Sequence, residues 1–372
     1  MKIAQVAPLM ESVPPRLYGG SERIVSYLTE ALVAKGHDVT LFASGDSLTN
    51  ARLVPCCRQS LRLDQGVVDP IPHYMVMLNK LRQRADEFDV IHFHIDQFHF
   101  PVFHDLSGRT LTTLHGRQDL PDLHALYRHF SEMPLVSISN AQRQPIPDVA
   151  FAATIYHGLP RNLLPFSMHA QGGYLAFLGR ISPEKGVDRA IRISRAVGLP
   201  LKIAAKVDRV DRDYFASKIA PLLDVNGVEY IGEINEQQKA RFLGDARGLL
   251  FPIAWPEPFG LVMIEAMACG TPVLAFRNGS VEEVVDEGVT GYVVDSEAEA
   301  ICKAGALLSL DRAAVRRQFE ARFTADRMAN DYLRVYARLR EGLAAPLAAA
   351  DGMLLDSDIE ASQVSERITS LR

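Results

Sequence analysis

Short runs of β-branched and apolar residues alternate with helix-forming segments along most of the chain, and this alternation limits the possible folds more than any other feature. It is typical of βαβ units, which build parallel sheets covered by helices on both faces. The runs predict strands at residues 3–7, 39–42, 90–94, 110–114, 135–138 and 154–156, and then at 174–178, 201–205, 228–231, 248–251, 272–275 and 292–294. We therefore expect an α/β protein with two Rossmann-like, doubly wound parallel sheets.

The length of the chain and its proline and glycine residues predict two domains. A chain of 372 residues exceeds what one hydrophobic core usually holds. Residues 159–173 show no helix or strand periodicity and are interrupted by Pro160, Pro165, Gly172 and Gly173. We therefore predict domains at 1–165 and 170–325, with a ligand cleft between them. Residues 326–341 have a helical pattern, and the Ala-rich, polar residues 343–372 predict a weakly packed or disordered tail.

Composition excludes several classes of protein. A net charge of −5 lacks the basic balance of a general nucleic-acid binder. No apolar run approaches the roughly 18 residues that span a bilayer, and the amino terminus has no secretory pattern. Membrane association is therefore not indicated, and we expect a cytoplasmic protein. The four cysteines show no metal-ligand spacing, so neither disulfides nor cysteine chemistry are expected.

The segment from Trp255 to Val273, WPEPFGLVMIEAMACGTPV, carries the clearest functional signal. Its prolines fix Glu257 in a loop, Gly260 lets the backbone approach a ligand closely, and the following residues form a helix that ends at Cys269. The first N–H groups of such a helix have no internal partner and suit a phosphate or sugar oxygen. Glu265, more than a turn inside the helix, can accept hydrogen bonds from a vicinal diol such as ribose.

This segment resembles the Glu-x7-Glu signature of the family 4 retaining glycosyltransferases, which share the two-domain GT-B architecture. The flanking PEPFG and AMACGTPV runs match the family almost residue by residue. The resemblance implies that Glu257 holds sugar hydroxyls at the catalytic centre and that Glu265 binds the ribose. It also implies that the backbone at Phe259, Gly260 and Leu261 binds the donor diphosphate, and that the helix at 326–341 crosses back to the first domain.

Two further motifs point to the same diphosphate. Arg180 and Lys185 lie on one turn after a predicted strand, where both cations can reach one anion, and they resemble the family's Gly-Arg-x4-Lys motif. Gly19 and Gly20 lie just before the first predicted helix, where glycine allows the backbone to approach phosphates. Their position resembles the Gly-Gly-x-Glu loop of the family. The resemblance implies that all four residues bind the donor diphosphate.

Seven of the eleven histidines fall between His92 and His129, which raises the question of a metal site. His92 and His94 resemble residues of a core strand in this family, where histidines are satisfied by hydrogen bonds, and no partner spacing completes a metal site. We therefore expect no metal and no cofactor. His115 follows a predicted strand at its carboxyl end, where ligands bind in open α/β sheets. By resemblance, His115 contacts the donor sugar and helps to place the acceptor.

Two other segments were weighed for ligand binding. The segment from Tyr230 to Lys239 resembles the strand and loop that hold the nucleotide base through backbone groups, which assigns base binding to Gly232 and Ile234. The Asp211-Arg-Asp213 triplet has the form of an Asp-x-Asp metal motif, but it does not follow an apolar strand, and we expect it to be solvated surface.

The resemblance implies metal-independent transfer, with retention, from a UDP- or GDP-sugar to a sugar, lipid-linked or small-molecule acceptor. The sugar would leave and be attacked on the same face. Three alternatives remain open at this point. The two glutamates also fit the acid and base of a glycoside hydrolase. A nucleotide-sugar epimerase and a non-catalytic nucleotide-sugar-binding protein would use the same donor site.

Overall fold

The structure, a computed structural model, describes residues 1–17, 19–223 and 227–342. The predicted tail at 343–372 lies outside these residues. Strands in the described chain form two parallel sheets. The first sheet contains β1 (Lys2–Val6), β2 (Asp38–Ser44), β3 (Arg52–Cys57), β4 (Val90–Phe93), β5 (Thr110–Thr113), β6 (Leu135–Ser137) and β7 (Phe151–Thr154). The second contains β8 (Leu175–Arg180), β9 (Leu201–Lys206), β10 (Val228–Gly232), β11 (Gly248–Phe251), β12 (Val273–Phe276) and β13 (Gly291–Val294).

The order of strands is that of a doubly wound fold in both sheets. It is β3-β2-β1-β4-β5-β6-β7 in the first and β10-β9-β8-β11-β12-β13 in the second. In each sheet the order reverses beside the first strand in sequence, which opens a crevice at the carboxyl ends of the strands. The predicted α/β class with two Rossmann-like sheets is therefore confirmed.

Helices connect the strands and cover the sheets. Those of the first sheet are α1 (Gly20–Ala34), α2 (Ile71–Arg82), α3 (Phe100–Phe103) and α4 (Asp122–His129). Those that follow are α5 (Val187–Ala196), α6 (Arg212–Tyr214), α7 (Ala220–Leu223), α8 (Glu236–Gly244), α9 (Leu261–Ala268), α10 (Val281–Val284), α11 (Glu297–Leu307), α12 (Arg312–Arg322) and α13 (Ala325–Arg340). The helix predicted to end at Cys269 is α9, with Cys269 as its C-cap.

Two strand predictions differ from the structure. The strand β3 was not predicted, because its sequence contains Pro55 and lacks a continuous β-branched run; as the outermost strand of its sheet it tolerates a proline. The strand predicted at 154–156 lies at Phe151–Thr154 instead. The sequence did not predict a strand at these residues because they include Ala152 and Ala153, and alanine is a weak strand former.

Helix α13 follows the second sheet in sequence but lies against the first. Its side chains Tyr332 and Tyr336 are fully buried and hydrogen-bond Thr113 and Gln5 of the first sheet. Thr324 caps the helix by accepting a hydrogen bond from the Arg327 N–H. The chain therefore runs from the first sheet to the second and returns.

Candidate active site

A cleft of about 560 Å³ lies at the carboxyl ends of strands from both sheets. Eleven of the twelve residues predicted for ligand binding line it: Gly19, Gly20, His115, Arg180, Lys185, Ile234, Glu257, Phe259, Gly260, Leu261 and Glu265. Gly232, predicted to bind the base, ends β10 and is not among the lining residues; the neighbouring Glu233 is. Segments that lie far apart in the sequence therefore meet at one site.

The amino terminus of α9 faces this cleft with unused donors. Gly260 adopts a left-handed conformation with φ of 77°. This backbone conformation favours glycine, and a Cβ atom there would lie 2.7 Å from the Met263 Cε, so that the end of this methionine would have to move. The N–H groups of Phe259, Gly260 and Leu261 donate to no group in the described chain. A Cβ placed on Gly20 would lie 3.6 Å from Leu261 Cδ1, so the start of α1 lies close to the start of α9.

Glu257 is held by a lysine and a tryptophan. Its Oε2 accepts hydrogen bonds from Lys185 Nζ and from Trp255 Nε1, the latter at 2.9 Å. Lys185 Nζ also lies 5.2 Å from the centre of the Trp255 ring. The Ser280 N–H donates to the Glu257 carbonyl at 3.0 Å and fixes the loop. The two predicted motifs therefore meet in one contact, next to the donors of α9.

Arg180 lies among carboxylates. Its guanidinium donates to Glu184 and lies 3.6 Å from Asp208 Oδ2 and 3.7 Å from Asp211 Oδ2. The prediction that Asp211 is solvated surface is wrong, because its side chain is only 12% exposed; burial raises its pKa, which Arg180 opposes. Asp213 is exposed, as predicted. The difference arises because Asp211 lies beside Arg180 at the end of β8, a contact between separate segments that the local sequence does not reveal.

Glu265 is paired with a lysine that the sequence analysis did not identify. Lys239 Nζ donates to Glu265 Oε1 at 2.6 Å, and the two side chains are 9% and 6% exposed. Lys239 also lies 3.6 Å from Glu236 Oε1, and Glu236 forms an ion pair with Arg23 of α1. A row of charges thus joins α9 and α8 to the first domain. No motif spacing points to Lys239 or Arg23, since their partners come from distant segments.

His115 is hydrogen-bonded and partly buried at the wall of the cleft. Its Nε2 lies 2.9 Å from His94 Nδ1, and burial lowers its pKa to about 4. The prediction that His92 and His94 are satisfied by hydrogen bonds is confirmed: His92 contacts Tyr336 and Thr113, and His94 contacts Gln5 and His115. Within residues 1–17, 19–223 and 227–342 no three His, Cys, Asp or Glu side chains group as metal ligands would.

A second histidine at the cleft was not predicted as a ligand-binding residue. The ring of His157 stacks on that of His115, with centres 5.3 Å apart and an angle of 19° between the planes. It lines the cleft, and its edge meets Phe259. Its Nδ1 is buried and has no partner in the described part of the chain. The rings that it contacts belong to other segments of the chain, so the residues next to it in sequence do not reveal this position.

No helix in the described ranges combines the length and apolar character that crossing a membrane would need.

Comparisons with known proteins agree on one family. The model of glycosyltransferase family 4 matches residues 18–143, and that of glycosyl transferases group 1 matches residues 169–323. The glycogen synthase of Mycobacterium tuberculosis is 26% identical over 86% of this chain and 89% of its own length. The structure of AviGT4, a glycosyltransferase involved in avilamycin A biosynthesis, is 26% identical and covers 92% of this chain and 98% of its own, with a TM-score of 0.69.

A third comparison concerns the fold. The Anabaena protein Alr3699/HepE, solved in complex with UDP and glucose, superposes with a TM-score of 0.69 over 91% of this chain and 99% of its own at 18% identity. Both family ranges carry site residues, since the first includes Gly19, Gly20 and His115 and the second includes the remaining predicted ones. The chain is a group 1 glycosyltransferase of family 4 with the GT-B fold.

Proposed function

We propose that this enzyme transfers a sugar, with retention of configuration and without a metal ion, from a nucleotide-diphosphate sugar to an acceptor. The observation that carries the proposal is the contact between Lys185 and Glu257 beside the unused N–H groups of α9. Positive charge and N–H donors suit a diphosphate, and the adjacent carboxylate suits sugar hydroxyls. Both halves of a donor molecule would therefore find partners within one short stretch of the cleft.

Binding of the donor would exchange partners at this contact. Lys185 and Arg180 both contact carboxylates in the structure, so a diphosphate would compete with those carboxylates for the cations. Once bound, the two cations and the N–H groups of Phe259, Gly260 and Leu261 would stabilise the charge that develops on the leaving diphosphate. Glu257, released from Lys185, would accept hydrogen bonds from the sugar. The acceptor would attack on the face from which the diphosphate leaves.

The hydrogen bonds of Glu257 and Glu265 favour this role over glycoside hydrolysis. Each carboxylate faces a lysine ammonium, which can only donate, so each carboxylate oxygen in the contact must accept. A hydrolase of the two-carboxylate type needs one of them as a proton donor. Glu265 is therefore better suited to accept hydrogen bonds from ribose hydroxyls.

UDP is the nucleotide that we propose first. The support is the UDP complex of Alr3699/HepE, a protein of the same fold. The backbone at Ile234, beside Glu233, would contact the base. The acceptor, a sugar, a lipid-linked sugar or a small molecule, would approach from the side of His115, and a cytoplasmic location remains part of the proposal.

Nucleotide binding tests the donor site. Calorimetric titration of UDP, GDP and ADP into the wild type is expected to show selective binding, with UDP strongest. Glu265→Gln should weaken that binding by at least about 10-fold, the loss of one good hydrogen bond to a charged group. Glu297→Gln, the same change at a partly exposed glutamate that pairs with Arg192 outside the cleft, is the matched control. If none of the three diphosphates binds, the proposal is wrong.

Product analysis tests the reaction. With UDP-glucose and other α-linked UDP-sugars, proton NMR of freshly released or transferred sugar should show the α anomer, and EDTA should leave the rate unchanged. A β product or loss of activity with EDTA would contradict retention or metal independence. Cleavage of aryl glycosides without nucleotide would favour the hydrolase. A sugar that has changed configuration but is still attached to UDP would favour the epimerase. Nucleotide-sugar binding without turnover would favour the binding protein.

A further inference from the structure

The single tryptophan of the chain, Trp255, lines the cleft and donates a hydrogen bond to Glu257. An indole N–H can only donate and a carboxylate can only accept, so the residue types fix the direction of this hydrogen bond. Lys185 Nζ donates to the same carboxylate oxygen, Oε2. Within the described ranges of the chain, no group hydrogen-bonds the other oxygen, Oε1. One oxygen of Glu257 therefore has two partners, and the other is left for a ligand.

The backbone on both sides of the indole is held by other segments of the second domain. The Ala254 N–H donates to the Glu184 carbonyl at 2.8 Å, and the Ser280 N–H donates to the Glu257 carbonyl at 3.0 Å. A Cβ atom on Gly279 would lie 2.3 Å from the Glu257 carbonyl oxygen, so the loop after β12 packs directly against this peptide. These contacts place the indole without using the Glu257 carboxylate or its ion pair with the lysine.

The face of the indole ring and its N–H contact different groups. Lys185 Nζ lies 5.2 Å and Arg117 Cζ 5.8 Å from the ring centre, both within the range of a cation–π interaction. Arg117 belongs to the first domain and is also paired with Asp119. The ring face thus meets cations from both domains, whereas the N–H meets the carboxylate. A substitution that keeps an aromatic ring but removes the N–H separates the two contacts.

We propose that Trp255 is a positioning residue for Glu257, whose indole N–H holds Oε2 when a diphosphate draws Lys185 away, so that Oε1 accepts a hydrogen bond from a donor-sugar hydroxyl. The inference rests on the proposed function, in which Lys185 exchanges the carboxylate for the diphosphate. A diphosphate attracts an ammonium group more strongly than a neutral N–H, so the charged donor leaves Oε2 and the neutral one stays. Without the indole N–H, the carboxylate would lose its remaining partner.

NMR of the indole N–H tests the contact without any sugar. Because the chain contains one tryptophan, proton–nitrogen spectra show one indole signal. We expect this proton to exchange slowly with water in the wild type. Glu257→Ala should shift the signal and speed the exchange, whereas Lys185→Met should leave the exchange slow, since the indole is placed without the lysine.

The same signal reports the exchange of partners. Addition of whichever of UDP, GDP and ADP binds best should leave the indole proton in slow exchange, because Oε2 remains its acceptor. A proton that exchanges as fast in the wild type as in Glu257→Ala would overturn the inference. So would a proton that becomes fast in Lys185→Met or when the diphosphate is added.

Turnover separates positioning from folding. Trp255→Phe keeps a ring for Lys185 and Arg117 but removes the N–H, and it should lower kcat/KM for the nucleotide sugar by about 10-fold, the loss of one hydrogen bond to a charged group. The Kd of the nucleoside diphosphate should change by less than about 2-fold, since this ligand lacks the sugar that Glu257 holds. Tyr292→Phe, which removes the hydroxyl of a ring that faces Lys303 outside the cleft, is the matched control.

Two further forms make the result decisive. Benzothienylalanine incorporated in place of the single tryptophan keeps the bicyclic ring without an N–H, and it replaces Trp255→Phe if that variant does not fold. In Glu257→Gln, adding Trp255→Phe should lower kcat/KM by much less than about 10-fold, because the two side chains act as one unit.

The outcomes distinguish the inference from the proposed function. Full turnover by both forms that lack the N–H would overturn the inference and leave the proposed function in place. Weaker binding of the diphosphate in step with the loss of turnover would show a structural role of Trp255 and would also overturn it. A wild type that turns over no nucleotide sugar would end the proposed function, and the positioning role with it, even where the indole signal shows the contact.

Discussion

The two walls of the cleft are built from different kinds of interaction. On the first-domain side, His115, His94 and Gln5 form neutral hydrogen bonds that continue into the buried interior. On the second-domain side, lysines 185 and 239 each face a carboxylate. The first wall can hold its geometry without a ligand, because its hydrogen bonds are internal to the protein. The second must exchange partners when a charged ligand binds.

This difference assigns separate tasks to the two walls. Neutral groups that are already oriented can place a hydroxyl at little cost in rearrangement. In the proposed function, the ion pairs at the cleft would keep the cations in position before the donor binds, and the carboxylate that the diphosphate displaces would become available for the sugar. We therefore expect substitutions on the second wall to affect binding and turnover most, and changes of pH to act mainly through the first wall.

The largest expected effect is that of Lys185→Ala. Loss of the ammonium that faces the leaving diphosphate should lower kcat/KM for donor turnover by about 100-fold or more, as removal of one charge-stabilising donor does in other enzymes. The measurement is the rate of nucleotide release under subsaturating donor. Arg192→Ala in α5, an exposed arginine paired with Glu297, is the control. Equal losses in the two variants would show that the effect is not specific to the cleft.

The buried pair on the second wall comes next. Glu265→Gln removes the nearer of the two carboxylates that face Lys239 and should lower the free energy of unfolding by about 3 kcal/mol, since both side chains of the pair are nearly inaccessible. The double variant Glu265→Gln with Lys239→Met should recover most of that stability, measured by denaturant unfolding, yet still bind UDP weakly. Recovery of UDP binding in the double variant would show that Glu265 does not contact the ribose.

The first wall should determine how stability depends on pH. Burial lowers the pKa of His115 from 6.5 to about 4 and lowers those of His92, His94 and His157 well below 6.5. Below about pH 6.5 these histidines are therefore protonated in the unfolded chain but remain neutral in the native state. The free energy of unfolding should fall as pH drops from 6.5 toward 4. Each pKa unit of depression corresponds to about 1.4 kcal/mol per group.

Unfolding curves measured between pH 7.5 and 4.5 check this expectation. His92→Gln should make the dependence on pH shallower, because one of the neutral buried rings is gone. A variant with the same pH slope as the wild type would mean that the histidines of the first wall do not control the acid sensitivity.

Ion pairs at the protein surface provide the smallest expected effect. The Arg277–Asp295 pair is 44% and 64% exposed, so Arg277→Ala should change the free energy of unfolding far less than Glu265→Gln does and leave donor turnover intact. Thermal unfolding at low and high salt measures it. A change as large as that of Glu265→Gln would remove the distinction between ion pairs in the cleft and ion pairs on the surface.

Prediction from sequence worked best where the signal was local. Eleven strands followed from runs of β-branched and apolar residues, β7 was predicted about three residues too late, and the helix α9 followed from the residues between Gly260 and Cys269. The prediction failed for β3, whose Pro55 breaks the pattern. It also failed for Asp211, whose environment is set by Arg180 at the end of β8. Lys239, Arg23 and His157 were missed for the same reason, since their partners are remote in sequence.

The sequence alone determined the two α/β domains, the strand and the following turn that carry Arg180 and Lys185, and the glycine at residue 260, because backbone preferences and hydrophobic periodicity act over a few neighbouring residues. Only the tertiary structure decided which lysine faces Glu265, that Glu257 meets Lys185, and that Tyr336 hydrogen-bonds Gln5. Such contacts depend on how separate elements pack at the carboxyl ends of two sheets, and side-chain partners across that distance leave no regular spacing in the chain.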